Sequence, residues 1–293
     1  MDNQNILTSW IDLLATVPDR HSPRDKFYQV LKKQARSEMM EIFSEGGLQS
    51  QNVSPSKALS FPFFEMGNID STNLFDIDEL IIFAYYKKRL CRYKNISDIG
   101  ANIGLHSVML DMLSSKDSTI HSYEPDPVHF SKLTQNLLIN QSKKVDPFKQ
   151  AVSYKQGTVS FTRVLGNTTG SHISGQKKAY GELESFDVET ENFNNILQWA
   201  DFIKMDVENF EAKIIENTKI DNWNGIDVMM EVGSEENASK IFSFFSKSHV
   251  GLFSQKNGWQ KVKKVEDMPK SYKDGSLFIS SENAYPWIKN ETD

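Results

Sequence analysis

Residues Asp98–Gly104 read DIGANIG and lie where an apolar, strand-like run, Asn95–Ile99, gives way to the helical pattern IGLHSVMLDML. Glycine-bearing turns between a strand and a helix bind nucleotide-like ligands in open α/β sheets. The dinucleotide fingerprint G-x-G-x-x-G offers a pyrophosphate three glycines and a helix N-terminus. Here the pattern is Gly100-x-Asn102-x-Gly104, with the carboxylate of Asp98 just before it. A carboxylate at that place repels a pyrophosphate by about 1 kcal/mol or more, depending on burial, and attracts a positive charge.

Strand and helix patterns alternate outward from this turn. The helix after it carries Leu105, Val108, Met109 and Met112 on one face. STIHSYE reads as a second strand, and DPVHFSKLTQNLLIN as a helix with Asp126 as N-cap, Pro127 in its first turn and Phe130, Leu133 and Leu137 facing inward. VDPFKQAVS reads as a third strand, with GTVSFTRVL against or beside it, DFIKMDVE as a fourth and IDVMMEVG as a fifth. NFEAKIIENT and SEENASKIFSFFSKS, the latter capped by Ser234, read as helices. VGLFSQ and GSLFISS close the sheet as an antiparallel edge. The expected fold class is α/β, a mostly parallel seven-stranded Rossmann-like sheet with its site at the carboxyl ends of the strands.

Residues 1–60 are expected to form a helical extension and linker, and 61–293 the sheet domain. DKFYQVLKKQARSEMMEIF places Phe27, Val30, Leu31, Met39 and Phe43 among polar residues, and IDELIIFAYYKKRL reads as a helix leading into the core. Ser44–Lys57, rich in Ser, Gly, Gln and Pro, reads as a linker or mobile loop. Gly166–Gly181, polar and without periodicity, reads as a lid or a locally disordered segment.

The chain has 293 residues, of which 39% are hydrophobic and 25% charged, with a net charge of -6. That balance argues against global attraction to nucleic acid or anionic lipid. No apolar run approaches the roughly 20 residues that span a bilayer, and the N-terminus has no signal pattern, so a cytoplasmic protein is expected. The single cysteine, Cys91, excludes an intramolecular disulfide and reads as a buried, inert thiol.

S-adenosylmethionine matches the charge of the turn: it has a sulfonium, an ammonium and no phosphate. Glu124, at the tip of the second strand and 20 residues beyond Gly104, is placed to accept ribose hydroxyl protons. ISDIGANIGLHSVML, YEPDPVHFSKLTQNLLIN, AVSYKQGTVSF, DFIKMDVENFEAKIIE and VMMEVG together resemble the successive blocks of the FkbM family of S-adenosylmethionine-dependent methyltransferases. The resemblance covers roughly residues 90–280. It departs from the family pattern at Asn209, where the family has glycine; Asn tolerates a left-handed backbone.

That resemblance implies a class I methyltransferase fold and O-methylation of a sugar, glycan or secondary-metabolite hydroxyl. It places Asp98, Gly100, Asn102 and Gly104 at the methionine end of the cofactor and Glu124 at the ribose. Pro125 and Asp126 would flank the ribose, and Ala151 would lie by the adenine.

Methyl transfer to a hydroxyl needs alignment and a proton acceptor. Asp206 and Glu208 end the fourth strand and Glu231 the fifth, which permits two schemes. In one, Asp206 or Glu208 is a general base whose pKa is raised by its carboxylate neighbours. In the other, Asp206 and Glu231 hold Mg²⁺, which acidifies a bound hydroxyl. His106 reads as packing under the turn, His172 as solvent-exposed or substrate-contacting, and His121 and His129 as surface or strand filler. The aromatic run Phe61–Phe64 reads as packing. Residues 1–60 would cover a small-molecule or glycan acceptor, or form a homodimer contact. Two rival functions remain, an NAD-binding oxidoreductase and a catalytically silent binding subunit.

Overall fold

The computed structural model describes residues 3–46, 50–165, 170–174, 182–283 and 285–287. Two helices come first, α1 (Ile6–Thr16) and α2 (Lys26–Phe43). A hairpin of β1 (Ser50–Ser54) and β2 (Lys57–Ser60) follows, then the short pair β3 (Glu65–Met66) and β4 (Ile69–Asp70), and helix α3 (Ile77–Arg89). The alternating segment begins with β5 (Asn95–Ile99), α4 (Leu105–Leu113), β6 (Thr119–Tyr123), α5 (Pro127–Ile139) and β7 (Val145–Phe148). Next come β8 (Ala151–Ser153), β9 (Gly157–Val164), β10 (His172–Ile173) and β11 (Leu183–Asn192). The remainder is α6 (Phe193–Trp199), β12 (Phe202–Met205), α7 (Glu211–Ile215), β13 (Asp227–Met230), α8 (Glu235–Phe245), β14 (Gly251–Ser254), β15 (Gln260–Lys261) and β16 (Leu277–Ser280).

The main sheet runs β15-β14-β16-β13-β12-β5-β6-β7. β7, β6, β5, β12 and β13 pair in parallel, and β16 lies antiparallel between β13 and β14. The chain therefore builds outward from β5 to one side and then returns to its other side at β12. That reversal opens a crevice at the carboxyl ends of β5 and β12, where such sheets bind ligands. The class I methyltransferase architecture expected from the sequence is present, with eight strands instead of seven. The additional strand, β15, is two residues long and pairs only with β14, too short to register as a pattern.

VDPFKQAVS is two strands, not one. β7 belongs to the main sheet, whereas β8 joins a second sheet in the order β10-β9-β11-β8. β9 reaches β8 only through β11, which pairs with β9 over eight residues from Leu183 to Thr190. The expected lid at Gly166–Gly181 lies largely outside the described residues. Its described part, 170–174, contains β10, paired with β9.

Helices cover both faces of the main sheet. One core joins α1, α2, α3, α4 and α5 to the sheet, and the other gathers α6, α7 and α8. The expected caps are present: Asp126 accepts from the Val128 and His129 amides, and Ser234 from the Asn237 amide. α2 is rotated from its expected face, leaving Val30 64% exposed and Phe27 exposed. Met39 and Phe43 face inward as expected, joined by Tyr28, Ala35 and Ile42, and the Tyr28 hydroxyl donates to Asp78 at 2.8 Å. Phe43 stacks on Phe75 at 3.9 Å, at the end of α2 where the expected and observed faces agree.

The linker reading of Ser44–Lys57 fails at its second half. β1 and β2 bury Val53 and Leu59 in the same core as α1 and α3, and Gln51 Oε1 accepts from the Leu7 amide. Cys91 is exposed, not buried. Among the described residues no helix is long and apolar enough to cross a membrane. Because Leu59 is fully buried, Leu59→Ala should cost about 2–5 kcal/mol. In urea denaturation the midpoint should fall with an unchanged m-value; an unchanged midpoint would mean that the hairpin is a tether and not core.

Candidate active site

The turn after β5 has left-handed backbone at every second residue, with φ +77 at Gly100, +52 at Asn102 and +89 at Gly104. A Cβ on Gly100 would lie 1.8 Å from the Asp206 carbonyl oxygen, and one on Gly104 2.5 Å from Leu133 Cδ1. Glycine is thus required twice, first by the neighbouring strand end and then by α5. The Gly100 and Ala101 amides donate to the Tyr123 carbonyl at 3.0 and 2.9 Å, and Gly104 to Ala101 at 2.8 Å. The Asn102 amide donates to Glu124 Oε2 at 2.8 Å, while Glu124 Oε1 accepts from the Asp126 amide at 2.8 Å. Glu124 therefore braces two loops. Burial pushes its pKa up to about 8 against those amide bonds. Each of its oxygens retains a further lone pair for a ligand hydroxyl.

A cleft of about 600 Å³, counting its open mouth, runs along these carboxyl ends. It brings together Gly100, Asn102, Glu124, Pro125, Ala151, Asp206 and Glu208 of the expected site residues. Asn102 Oδ1 is buried there without a hydrogen-bond partner among the described residues. Glu231 lies in a neighbouring cavity, and three expected cofactor residues stand back from the cleft. Asp98 is fully buried beneath the turn and accepts from Ser107 Oγ at 2.6 Å. Gly104 packs on α5. Asp126 caps α5 and is gripped by the Arg163 guanidinium through two bonds of 2.6 and 2.7 Å.

His172 is 2% exposed and walls the cleft, contrary to the solvent-exposed reading, because β10 pairs with β9. His129 is not filler: it is buried on the cleft wall, and burial lowers its pKa to about 4. His121 is half-buried and stacks on Trp199 at 3.8 Å. His106 lies under the turn with Nδ1 2.9 Å from the Tyr86 hydroxyl and Nε2 2.7 Å from Glu79. Phe61 and Phe64 pack near Phe75 and line neither cavity of the site.

A second cavity, about 410 Å³ with its mouth, shares Asp206 with the cleft and holds Glu231, Glu79, Asp78 and Lys204. The turn between the two cavities is built by Glu211. Its Oε1 accepts from the Val207 and Asn209 amides at 3.2 Å, and its Oε2 accepts from Asn237 Nδ2 at 2.6 Å. Glu208 and Asn209 adopt φ +52 and +74, so asparagine does sustain the left-handed turn. Burial, then Asp206 and Glu208, push the Glu211 pKa up to about 8. Burial also raises the Glu231 pKa well above the usual carboxylate range, helped by Asp206 and Glu208.

No group of three or more His, Cys, Asp or Glu side chains among the described residues could hold a metal ion. The magnesium arrangement of Asp206 and Glu231 therefore gains no donor set. The cation among these carboxylates is Lys204, whose Nζ lies 3.9 Å from Asp98 Oδ1.

The family model for the methyltransferase FkbM domain matches residues 98–253. The chain belongs to the FkbM methyltransferase family. Among solved structures, this methyltransferase is similar to precorrin-6y C5,15-methyltransferase from Geobacter metallireducens, at 12% identity over 68% of this chain and 85% of that one, with a TM-score of 0.39. It is also similar to the ribosomal protein L11 methylase from Lactobacillus delbrueckii subsp. bulgaricus, at 8% identity over 69% and 76%, with a TM-score of 0.38. A search of curated proteins found no match.

The sequence reading of this methyltransferase missed Lys204, Glu79 and the bracing role of Glu211. Lys204 had a signal, a lone lysine inside the otherwise apolar strand Phe202–Met205. Glu79 had none, since it comes from α3, outside the matched segment. Because folding raises the Glu211 pKa, the folded state keeps a proton that the unfolded chain releases at lower pH. Stability should therefore fall as pH rises from the ordinary carboxylate range toward about 8. In urea denaturation at successive pH values, Glu211→Gln should show a shallower fall than the parent; equal slopes would contradict the assignment.

Proposed function

We propose that this methyltransferase takes its methyl group from S-adenosylmethionine and passes it to a hydroxyl of a small polar acceptor, sugars and glycans included. One observation carries the cofactor choice. The amides of Gly100, Ala101, Asn102 and Gly104, which a pyrophosphate would need, all donate within the protein. What the turn offers a ligand is the opposite polarity: the orphaned Asn102 Oδ1 and the second lone pairs of Glu124. These groups accept hydrogen bonds, which suits an ammonium and ribose hydroxyls and does not suit phosphate. This argues against the NAD-binding alternative.

In this reading Glu124 holds the ribose, Asn102 the amino-acid end, and Ala151 with Val152 the adenine. The bound cofactor supplies an already activated methyl group, so the chain's own task is to align the acceptor oxygen and remove its proton. Asp206 is the wall between the two cavities and is assigned as the proton acceptor. Glu231, whose hold on its proton is strengthened by burial and by Asp206 and Glu208, faces the acceptor from the second cavity. Glu208 stands at the cleft beside Asp206. The N-terminal extension supports this second cavity from behind through the Tyr28–Asp78 bond.

The reading is tested by incubating the protein with methyl-labelled cofactor and a low-molecular-mass cell extract, then identifying the labelled product. Label is expected on an oxygen of a polar small molecule. Asp206→Asn should lower transfer by about 100-fold or more while S-adenosylhomocysteine still binds. Heat of binding with NAD and none with S-adenosylhomocysteine would overturn the assignment.

A further inference from the structure

Lys204 presents a physical problem: a buried cation lines the second cavity, across Asp206 from the cleft assigned to a cationic cofactor. Its side chain is 9% exposed, and its Nζ lies 3.5 Å from the Gly100 carbonyl oxygen and 3.9 Å from Asp98 Oδ1. Four carboxylates face it from three strands and a helix: Asp98 of β5, Asp206 after β12, Glu231 after β13 and Glu79 of α3. Burial opposes its charge, but those carboxylates outweigh burial and raise its pKa above the ordinary lysine value. Glu79 is held in place by His106 Nε2 at 2.7 Å, with Tyr86 behind the imidazole at 2.9 Å. Burial likewise opposes ionisation of Glu79, and His106 and Lys204 reverse that effect and lower its pKa.

We propose that Lys204 and Glu79 are specificity-determining residues that set how strongly the cofactor cleft prefers a sulfonium over a neutral thioether. The inference rests on the S-adenosylmethionine reading above. In this proposal the acceptor occupies the second cavity, so the methyl group passes at Asp206 and the sulfur stands beside it, within the field of Lys204 and Glu79. Unopposed, the carboxylates would hold the sulfonium tightly and resist the loss of its charge. Lys204 offsets part of that attraction, so that charge can leave sulfur when the methyl group is transferred and the neutral product can depart. Glu79 acts in the opposite sense and limits the offset.

S-adenosylmethionine and S-adenosylhomocysteine differ only by a methyl group and its positive charge, so the ratio of their dissociation constants isolates the field at sulfur without any acceptor. Titration calorimetry on the full chain compares the parent with Lys204→Met, Lys204→Arg, Glu79→Gln and the Lys204→Met/Glu79→Gln double variant. Lys204→Met should shift the ratio about tenfold toward the sulfonium, and Glu79→Gln should shift it toward the thioether. Lys204→Arg, which keeps the charge, should stay within about twofold of the parent, and the double variant should lie between the two singles. If Lys204→Met does not fold, Glu79→Gln, expected to shift the ratio toward the thioether, and Lys204→Arg, expected to leave it unchanged, still test the inference. Variants that bind both ligands with the parent ratio would overturn the inference while leaving the cofactor reading intact. A parent that binds neither ligand would overturn both.

Discussion

The contact on which the site depends is the close approach of the Gly100 backbone to the Asp206 carbonyl oxygen. No side chain fits at position 100, since even a Cβ would lie 1.8 Å from that oxygen. The contact draws the carboxyl ends of β5 and β12 together at the point where the sheet reverses direction. Everything else is arranged around it. The amides of Gly100, Ala101 and Asn102 are spent on Tyr123 and Glu124, which fixes the loop and leaves those three amides with no free hydrogen for an anion. On the other side the Asp206 backbone continues into a left-handed turn held by Glu211. One glycine thus joins the proposed cofactor cleft to the cavity beside it.

The second theme is charge compensation under burial. A cluster of carboxylates this far from water would not remain ionised alone. The protein resolves the conflict unevenly: Lys204 and His106 keep Glu79 ionised, whereas Glu231, Glu211 and Glu124 hold their protons more tightly than an exposed carboxyl would. Groups of both kinds therefore stand side by side at the carboxyl ends of β12 and β13. α3 matters here because it delivers Asp78 and Glu79 to the second cavity although it precedes the FkbM-matched segment.

What the sequence disclosed was local. The turn DIGANIG, the caps at Asp126 and Ser234 and the alternation of strand and helix all depend on neighbours within a few residues, and all are present. What it concealed depends on distant partners. The Ser- and Gln-rich stretch 50–60 has linker composition, yet pairs into a hairpin because α1 offers it an apolar surface. Phe27 and Val30 look like core but lose to Tyr28, whose bond to Asp78 spans fifty residues. His129 and His172 converge on one cleft from a helix and from a separate small sheet, which no spacing rule foretells. Asp98 and Asp126 carry the expected charges but spend them on Ser107, Lys204 and Arg163.

The most direct test of the account is a crystal structure of the protein with S-adenosylhomocysteine bound. The account predicts the adenine against Ala151 and Val152 of β8, the ribose on Glu124, the amino group on Asn102 Oδ1 and the sulfur beside Asp206. A ligand seated away from Asn102 and Glu124, or a dinucleotide pyrophosphate in that turn, would contradict it.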